Sequence, residues 1–245
     1  MITVFRIGVN SRQERSGISL AMLRQGKCVF VMTAFLSCLS WLGCTPPPPT
    51  EPKSTTVPPA LVYELGMSRM ESGEYLQARL SFEEAVSLDP NSSSFRNALG
   101  LADLQLGRFP QALASFREAV RLNPKFSDAY NNLGVALAQS GKWEEAIAAF
   151  EKVLTFPSYN SPAIVYQNLG WAYYSQGRYQ EAEKALSSVL SLEPRMALTH
   201  YTLGLLYEKQ GRQPDAVQAY RQVVKLAAGS DTGRKAQERL KALAQ

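Results

Sequence analysis

The sequence contains very little histidine and cysteine, and this scarcity limits the chemistry that the chain can perform. Among 245 residues there are one histidine, His200, and three cysteines, Cys28, Cys38 and Cys44. Two-histidine metal motifs such as HExxH are therefore absent, and no glycine-rich phosphate loop occurs. Residues 59–245 contain no cysteine, which excludes a disulfide or a cysteine metal cluster there. We therefore expect no catalysis, no metal, no cofactor and no small-molecule substrate.

Excess charge of one sign is also absent from most of the chain. The formal net charge is +5, but residues 1–58 contain six Lys/Arg and only two Asp/Glu. Residues 59–245 are almost balanced, with 20 basic and 19 acidic side chains. Nucleic-acid binding depends on a dense basic patch. The charge distribution therefore predicts a protein that does not bind nucleic acid.

An uncharged apolar run covers residues 28–42 and is too short for a membrane-spanning helix. Such a helix needs about 20 residues. Two basic residues precede the run and the small residue Gly43 follows it, which is typical of a secretory signal. We expect residues 1–43 to be a signal peptide, and an uncleaved membrane anchor is the alternative.

The cysteine after this run resembles the signal of bacterial lipoproteins, in which the cysteine carries lipid and becomes the new N-terminus. That resemblance implies a covalent lipid on Cys44 and attachment to a membrane. Trp41 stands where the family favours leucine, and Cys38 is a weaker rival site. Thr45 follows the cysteine in place of the aspartate that retains many lipoproteins at the inner membrane. The resemblance therefore implies the periplasmic face of the outer membrane.

The first 21 residues do not fit a signal peptide, because they carry three arginines and one glutamate. Met22 would open a conventional signal directly before the apolar run. We expect translation to begin at Met22, with residues 1–21 an over-long start.

A proline-rich linker follows the cysteine over residues 44–58. It contains six prolines, four of them consecutive. Such a segment favours extended polyproline II at about 3.1 Å per residue, which would hold the following residues up to ~40 Å from a membrane. A disordered spacer is the alternative.

Five Leu-Gly pairs recur along the rest of the chain at spacings of 34, 34, 36 and 34 residues. An alanine follows each of these glycines by twelve residues, and a bulky apolar residue comes four residues after that. The glycines are Gly66, Gly100, Gly134, Gly170 and Gly204. A fixed period of this size is the mark of a repeat architecture. The pattern resembles the tetratricopeptide repeat (TPR) along residues 59–230.

The resemblance implies an all-α fold, a right-handed TPR superhelix (α-solenoid) of five helix-turn-helix repeats. Each repeat has a helix A and a helix B, and the glycine of the Leu-Gly pair is expected to let helix B approach at its facing alanine. A second glycine, such as Gly73, suits the left-handed residue that ends helix A. The predicted repeats are 59–92, 93–126, 127–160, 163–196 and 197–230.

The last residues, 231–245, predict a single amphipathic helix. Ala236, Leu240 and Leu243 fall on one face at i, i+4, i+7 spacing. We expect this helix to cap the end of repeat five. A partner-binding tail is the alternative.

In TPR proteins helix A lines a concave groove that binds proteins. The resemblance places nine candidate contacts there: Tyr63, Asn97, Leu101, Asn131, Val135, Gln167, Trp171, Tyr174 and Tyr201. The recurring amides Asn97, Asn131 and Gln167 are expected to hydrogen-bond the backbone of a peptide, and the apolar residues to supply buried area. The alternative for each residue is that it packs against its neighbours and binds nothing.

Two extra residues lie between repeats three and four, around Phe156–Pro162. This proline-containing link and the Asn-Leu-Gly helix starts at Asn132 and Asn168 resemble the type IV pilus biogenesis lipoprotein (pilotin) family, which usually has six repeats. The resemblance implies a lipid-anchored scaffold that helps to carry or assemble a secretin subunit. A general envelope adaptor for peptidoglycan or outer-membrane assembly factors is the second hypothesis, and a cytosolic TPR co-chaperone is the third.

Overall fold

The computed structural model describes residues 57–244, and eleven α-helices with short connections make up this part of the chain. The helices are α1 (Pro59–Glu71), α2 (Tyr75–Leu88), α3 (Ser93–Gln105), α4 (Phe109–Leu122), α5 (Ser127–Gln139), α6 (Trp143–Leu154), α7 (Pro162–Ser175), α8 (Tyr179–Leu192), α9 (Ala197–Lys209), α10 (Gln213–Ala227) and α11 (Asp231–Leu243). The first ten form five successive pairs, one pair in each predicted repeat. The prediction of an all-α repeat solenoid is confirmed.

Each odd-numbered helix packs against the helix that follows it, and each pair stacks on the next pair. One repeat has too small an apolar face to fold alone, so stacking makes a continuous core. The largest fully buried side chains include Phe82, Phe116, Phe150, Leu186 and Tyr220, which recur once in each repeat. Every repeat therefore contributes to the buried apolar residues, which form a central cluster over repeats two to five and a smaller cluster at each end of the stack.

The turn between helix A and helix B needs a glycine. Gly73 has a φ of 76°, and the equivalent glycine of each later repeat has a φ between 70° and 75°. This left-handed conformation is unfavourable for a residue with a Cβ. The Gly73 amide donates to the Met70 carbonyl at 3.1 Å, which satisfies a carbonyl at the end of α1. The predicted role of these glycines is confirmed.

The glycine of each Leu-Gly pair lies against the bulky residue of helix B, and the atoms nearest to a built Cβ belong to this residue and not to the facing alanine. A Cβ built on Gly66 or Gly134 would lie 2.5 Å from the ring of Phe82 or Phe150, respectively. The three atoms nearest to each built Cβ all belong to that ring. The missing side chain therefore makes room for a buried ring, and this is why the repeat combines glycine with a large apolar residue.

The final helix, α11, covers the end of repeat five as the sequence predicts. Ala236 is fully buried among Tyr201, Tyr220 and Val223, and Leu240 packs at the edge of this cluster. The helix starts at a capping serine, because the Ser230 hydroxyl accepts a hydrogen bond from the Gly233 amide at 3.0 Å.

The same helix occupies the register of a helix A. It begins 34 residues after α9, and its buried residues Gly233 and Ala236 correspond to the buried Thr199 and Thr202 of α9. The stack therefore consists of five helix pairs and one further helix that stands where a sixth repeat would begin.

The residues inserted between α6 and α7 fold back onto the core. The ring centroids of Phe156 and Tyr130 lie 5.8 Å apart, and Tyr159 packs against the central apolar cluster. Lys152 lies over the Phe156 ring at 5.3 Å from its centroid. The longer connection thus packs beside the start of α5.

Within residues 57–244 no helix is long and apolar enough to cross a lipid bilayer. The predicted signal peptide, the predicted start at Met22, the lipidation site Cys44 and nearly all of the proline-rich linker lie outside the described residues. Those expectations stay predictions.

Candidate functional site

The nine predicted groove residues fall into two groups in the structure. Six are buried: Asn97, Leu101, Asn131, Val135, Gln167 and Tyr201. Three are half-buried and retain accessible surface: Tyr63, Trp171 and Tyr174. The expected row of exposed groups along every helix A is therefore present only in part.

The three recurring amides form hydrogen bonds between neighbouring repeats. The Asn132 side-chain amide donates to Asn97 Oδ1 at 3.1 Å, and the Asn168 amide donates to Asn131 Oδ1 at 3.2 Å. In both pairs, the acceptor lies three residues before the glycine of its own Leu-Gly pair. The donor lies two residues before the corresponding glycine of the next repeat. We call these cross-repeat bonds, together with those of Gln167, the amide ladder.

Gln167 completes the amide ladder at the boundary between repeats four and five. It donates to Thr202 Oγ1 at 3.2 Å and accepts from Thr199 Oγ1 at 2.6 Å. Buried polar groups in proteins are almost always hydrogen-bonded, because an unpaired one loses its hydration without compensation. Here the partner is the next repeat.

The prediction that Asn97, Asn131 and Gln167 hydrogen-bond a bound peptide does not agree with this arrangement. Asn131 has no exposed surface, and the other two have 8% or less. Leu101, Val135 and Tyr201 are buried for a related reason, since they pack into the core beneath the groove. The sequence did contain a signal for the amide ladder. Asn132, Asn168 and Thr202 are polar residues at one position of successive repeats, and each pairs with an amide of the repeat before it.

Tyr63 joins the first two repeats. Its ring stacks on Phe95 with centroids 5.0 Å apart, and it lies 5.7 Å from Phe82 in a tilted arrangement. Most of its apolar surface is thereby used within the stack.

Trp171 and Tyr174 form an accessible aromatic pair on α7. Their ring centroids lie 5.3 Å apart, and Tyr179 of α8 lies 6.1 Å from Tyr174. A tyrosine hydroxyl is protonated at neutral pH, and burial raises the pKa of Tyr174 further, so this hydroxyl can donate a hydrogen bond. The pair therefore offers a large apolar surface with a polar edge, which is the composition of many binding sites.

A pocket of about 230 Å³ lies between the starts of α7 and α9. It is lined by Ile164, Gln167, Met196, Ala197 and Leu198. Ile164 precedes Trp171 by seven residues, which is two helical turns, so both side chains lie on one face of α7 about 10 Å apart along its axis. The pocket and the aromatic pair are thus two parts of one surface.

An acidic side chain occupies the equivalent position one repeat earlier. Asp128 corresponds to Ile164 and Leu198 in the repeat register, and burial raises the pKa of its carboxyl group. Burial and the nearby Asp128 carboxylate also raise the pKa of Tyr159, in the connection between α6 and α7, to about 12. Within residues 57–244 no ion pair neutralises Asp128. It is therefore a place where a cationic group would be favoured.

The far end of the surface is closed by an ion pair that fixes α11. Arg239 Nε donates to Glu208 Oε1 at 2.9 Å, and the Tyr220 hydroxyl donates to the same oxygen at 2.5 Å. Burial would raise the pKa of Glu208, but the hydrogen bonds from Arg239 and Tyr220 outweigh it and the pKa lies below its ordinary value. The pair stabilises the last helix against α9.

The single histidine has a structural environment. His200 Nε2 lies 3.1 Å from the carbonyl oxygen of Pro194, which connects α9 to the loop before it. The paired glutamates Glu144 and Glu145 make ion pairs with Arg178 and Arg117, at 3.5 and 2.8 Å. Both ion pairs join neighbouring repeats at the exposed surface.

Comparison with known sequences identifies the class of protein. The profile of the family described as Tetratricopeptide repeat matches residues 63–105, 97–161 and 168–231. The chain belongs to the tetratricopeptide repeat family. A search of curated proteins gives no match.

Solved structures show similar folds at low sequence identity. PilW, described as a widely conserved type IV pilus biogenesis factor, has a TM-score of 0.64 and 22% identity, with 77% of this chain and 94% of PilW covered. PilF of Pseudomonas aeruginosa has a TM-score of 0.62 and 20% identity, with coverages of 76% and 91%. MamA of Desulfovibrio magneticus RS-1 has a TM-score of 0.64 and 20% identity, with coverages of 73% and 99%. At such identities the likeness establishes the fold.

Proposed function

We propose that this protein is a lipid-anchored TPR scaffold of the bacterial outer membrane, without catalytic activity, that holds a protein partner on the concave side of repeats three to five. The observation that carries the proposal is the joint surface of the aromatic pair Trp171–Tyr174 and the neighbouring apolar pocket. TPR proteins bind partners by contact, and large aromatic anchors beside a pocket supply most of the binding free energy in such interfaces.

The surface favours a partner segment with two apolar anchors and one cation. The pocket and Trp171 lie about 10 Å apart, which matches residues i and i+7 of a helix, or residues i and i+3 of a polyproline II segment with three residues per turn. Asp128 favours a lysine or arginine near the anchor that enters the pocket. The partner envisaged here is therefore a protein segment with a basic and apolar sequence.

The aromatic anchor is tested by Trp171→Ala in the mature protein, with a secretin from the same cell as the first candidate partner. We expect at least tenfold weaker binding, because a central aromatic residue carries a large share of interface energy. Trp143→Ala is the matched control, since Trp143 packs on the core at α6. If Trp171→Ala lowers the melting temperature as well as the affinity, or if both variants weaken binding to the same extent, Trp171 is not the binding anchor.

The membrane anchor is proposed from the sequence around Cys44. Palmitate labelling of cells that express the full chain should give a labelled protein that partitions with the outer membrane. Cys44→Ala should abolish the label, and Cys38→Ala should leave it intact. A label that survives Cys44→Ala would contradict this anchor, and an unlabelled protein in the cytosol would favour the co-chaperone hypothesis.

The finer role that we propose is assembly or localisation of a type IV pilus secretin. The similarity of fold to PilW supports this role, as does the combination of a lipoprotein-like signal with TPR repeats. Deletion of the gene should remove secretin multimers from the outer membrane. If multimers persist, the role as a general envelope adaptor for peptidoglycan or outer-membrane assembly factors becomes the better interpretation.

A further inference from the structure

The first helix exposes two leucines at positions that later repeats bury. Leu61 and Leu65 are 56% and 48% exposed. In repeats three to five, the residues that correspond to them are at most 8% exposed: Ala129, Val165 and Thr199 for Leu61, and Leu133, Leu169 and Leu203 for Leu65. The exposed face of α1 is therefore the face with which a helix A stacks on a preceding repeat.

Two polar residues complete this face. Glu64 and Ser68 are exposed, although the equivalent residues of all later repeats are at most 2% exposed. Those equivalents are Ala98, Asn132, Asn168 and Thr202 for Glu64, and Ala102, Ala136, Ala172 and Leu206 for Ser68. We call Leu61, Glu64, Leu65 and Ser68 the open stacking face.

The two ends of the stack thus differ. At the far end α11 covers repeat five, which is how terminal repeats normally shield their apolar surface from water. Within residues 57–244 no helix covers the open stacking face. Two leucines at i and i+4 form the stripe that packs against another helix.

The carboxylate of Glu64 specifies the charge of that helix. In repeats three to five, the residue at this position hydrogen-bonds the preceding repeat through Asn132, Asn168 or Thr202. Glu64 offers a negative acceptor at the same place and makes no ion pair within residues 57–244. A helix that packed here with an apolar residue opposite Glu64 would desolvate the carboxylate without compensation, whereas a lysine or arginine would neutralise it.

We infer that the open stacking face binds an amphipathic helix of another protein, with an apolar stripe over Leu61 and Leu65 and a basic residue opposite Glu64. A second copy of this chain fits less well, because a symmetric pairing would bring two Glu64 carboxylates into one interface. The proline-rich residues 44–58 of this chain fit less well too, since the consecutive prolines Pro46–Pro49 oppose a helix. This site is separate from the concave surface and does not depend on it.

The test uses the full chain and a synthetic helix as the probe. The probe is an 18-residue lactam-stapled peptide with leucines at i, i+4 and i+7 and a lysine on the same face, and a second probe has glutamate in place of the lysine. Fluorescence anisotropy should show that the lysine probe binds and the glutamate probe binds at least tenfold more weakly. Glu64→Lys should reverse this preference, because it exchanges attraction for repulsion.

Two further variants locate the bound probe. Leu65→Ser should weaken binding of the lysine probe about tenfold without changing the helix content or melting temperature, since Leu65 is already half exposed. Trp171→Ala should leave binding unchanged. The inference would be overturned if Glu64→Lys left the preference between the two probes unchanged, or if Trp171→Ala abolished binding of the lysine probe.

Two other occupants of this face, a second copy of the chain and a lipid bilayer, would give different results. A concentration-dependent dimer that Leu65→Ser disperses would assign the face to a second copy and overturn the inference. Binding of the non-lipidated Cys44→Ala protein to phosphatidylcholine vesicles, lost in Leu65→Ser, would assign the face to a bilayer and overturn it as well.

Discussion

Asn132 donates its side-chain amide to Asn97 across the boundary between repeats two and three, over 3.1 Å. The other polar atom of the Asn132 side chain, Oδ1, is buried and has no hydrogen-bond partner among the described residues. Asn97 retains 8% exposure, whereas Asn132 has none. The two ends of this bond are therefore unequal, because only Asn97 has access to water when the bond is broken.

Because only Asn97 can reach water, replacing Asn97 and replacing Asn132 by alanine should lower the free energy of unfolding by different amounts. Asn97→Ala leaves the Asn132 amide buried and without its acceptor, so we expect a loss of about 2 kcal/mol in the free energy of unfolding. Asn132→Ala removes an already unsatisfied oxygen and frees Asn97 to meet water, so its cost should be smaller. Urea unfolding measures both. Gln105→Ala, on the exposed side of α3, is the control and should change stability by less than about 0.5 kcal/mol. A larger loss for Asn132→Ala would contradict the geometry.

The close contact between Gly134 and Phe150 predicts that a single methyl group is costly. Gly134→Ala adds a Cβ 2.5 Å from the ring, and overpacking of this kind costs roughly 1–3 kcal/mol. That cost should exceed the helix-propensity gain of about 1 kcal/mol. Thermal unfolding of Gly134→Ala, Phe150→Ala and the double variant measures the effect. The double variant should lose less than the two single losses added together, because the small residue at 150 leaves room for the new methyl. Strict additivity would exclude a contact between the two positions.

The buried ion pair between Arg79 and Asp103 predicts a larger effect than any surface pair. Arg79 Nε lies 3.1 Å from Asp103 Oδ1, and the Asp103 side chain is only 3% exposed. Arg79→Ala leaves this carboxylate with the more distant Arg108 at 3.6 Å, and we expect a loss of about 3 kcal/mol. Arg117→Ala breaks the exposed pair with Glu145 and should cost less than about 1 kcal/mol. Similar losses for the two arginine variants in denaturant unfolding would show that burial does not govern these pairs.

The lowered pKa of Glu208 predicts that α11 loosens in acid. Because the folded state favours the charged carboxylate, the stabilisation is complete above the ordinary value near 4.5 and is lost as pH falls below it. Hydrogen exchange of the α11 amides should therefore accelerate between pH 5 and pH 3, relative to the amides of α5, after correction for the intrinsic rates. Glu208→Gln should remove this extra acceleration. A pH response of α11 that is the same in the wild type and in Glu208→Gln would refute the role of this ion pair.

The sequence was sufficient to predict the repeats because their packing depends on residue size at fixed intervals. The Leu-Gly spacing located all five helix pairs, and the spacing of Ala236, Leu240 and Leu243 located the final helix. The same pattern did not reveal which side chain lies against each glycine. Alanine and phenylalanine of helix B both recur at that period, and only their three-dimensional placement distinguishes them.

The groove was harder to predict because polar residues have two uses in a stack. Asn97 and Asn131 have the composition expected of peptide contacts, yet their amides bind the next repeat. Recognising this required the partners one repeat later, which are amides or hydroxyls only where the preceding repeat has an amide. The exposure of Leu61 was equally hidden, since its type is ordinary for a buried position and only the lack of a described helix in front of it makes it accessible.

Contacts in this molecule extend only to near neighbours along the chain. Within residues 57–244, each helix meets the next helix or the next but one and none beyond that. Strain introduced at α1 must therefore pass through every intervening repeat before it reaches α7. The two proposed binding surfaces, the open stacking face and the region around Trp171, are therefore separated along the stack, so a protein bound to one would not compete for the other.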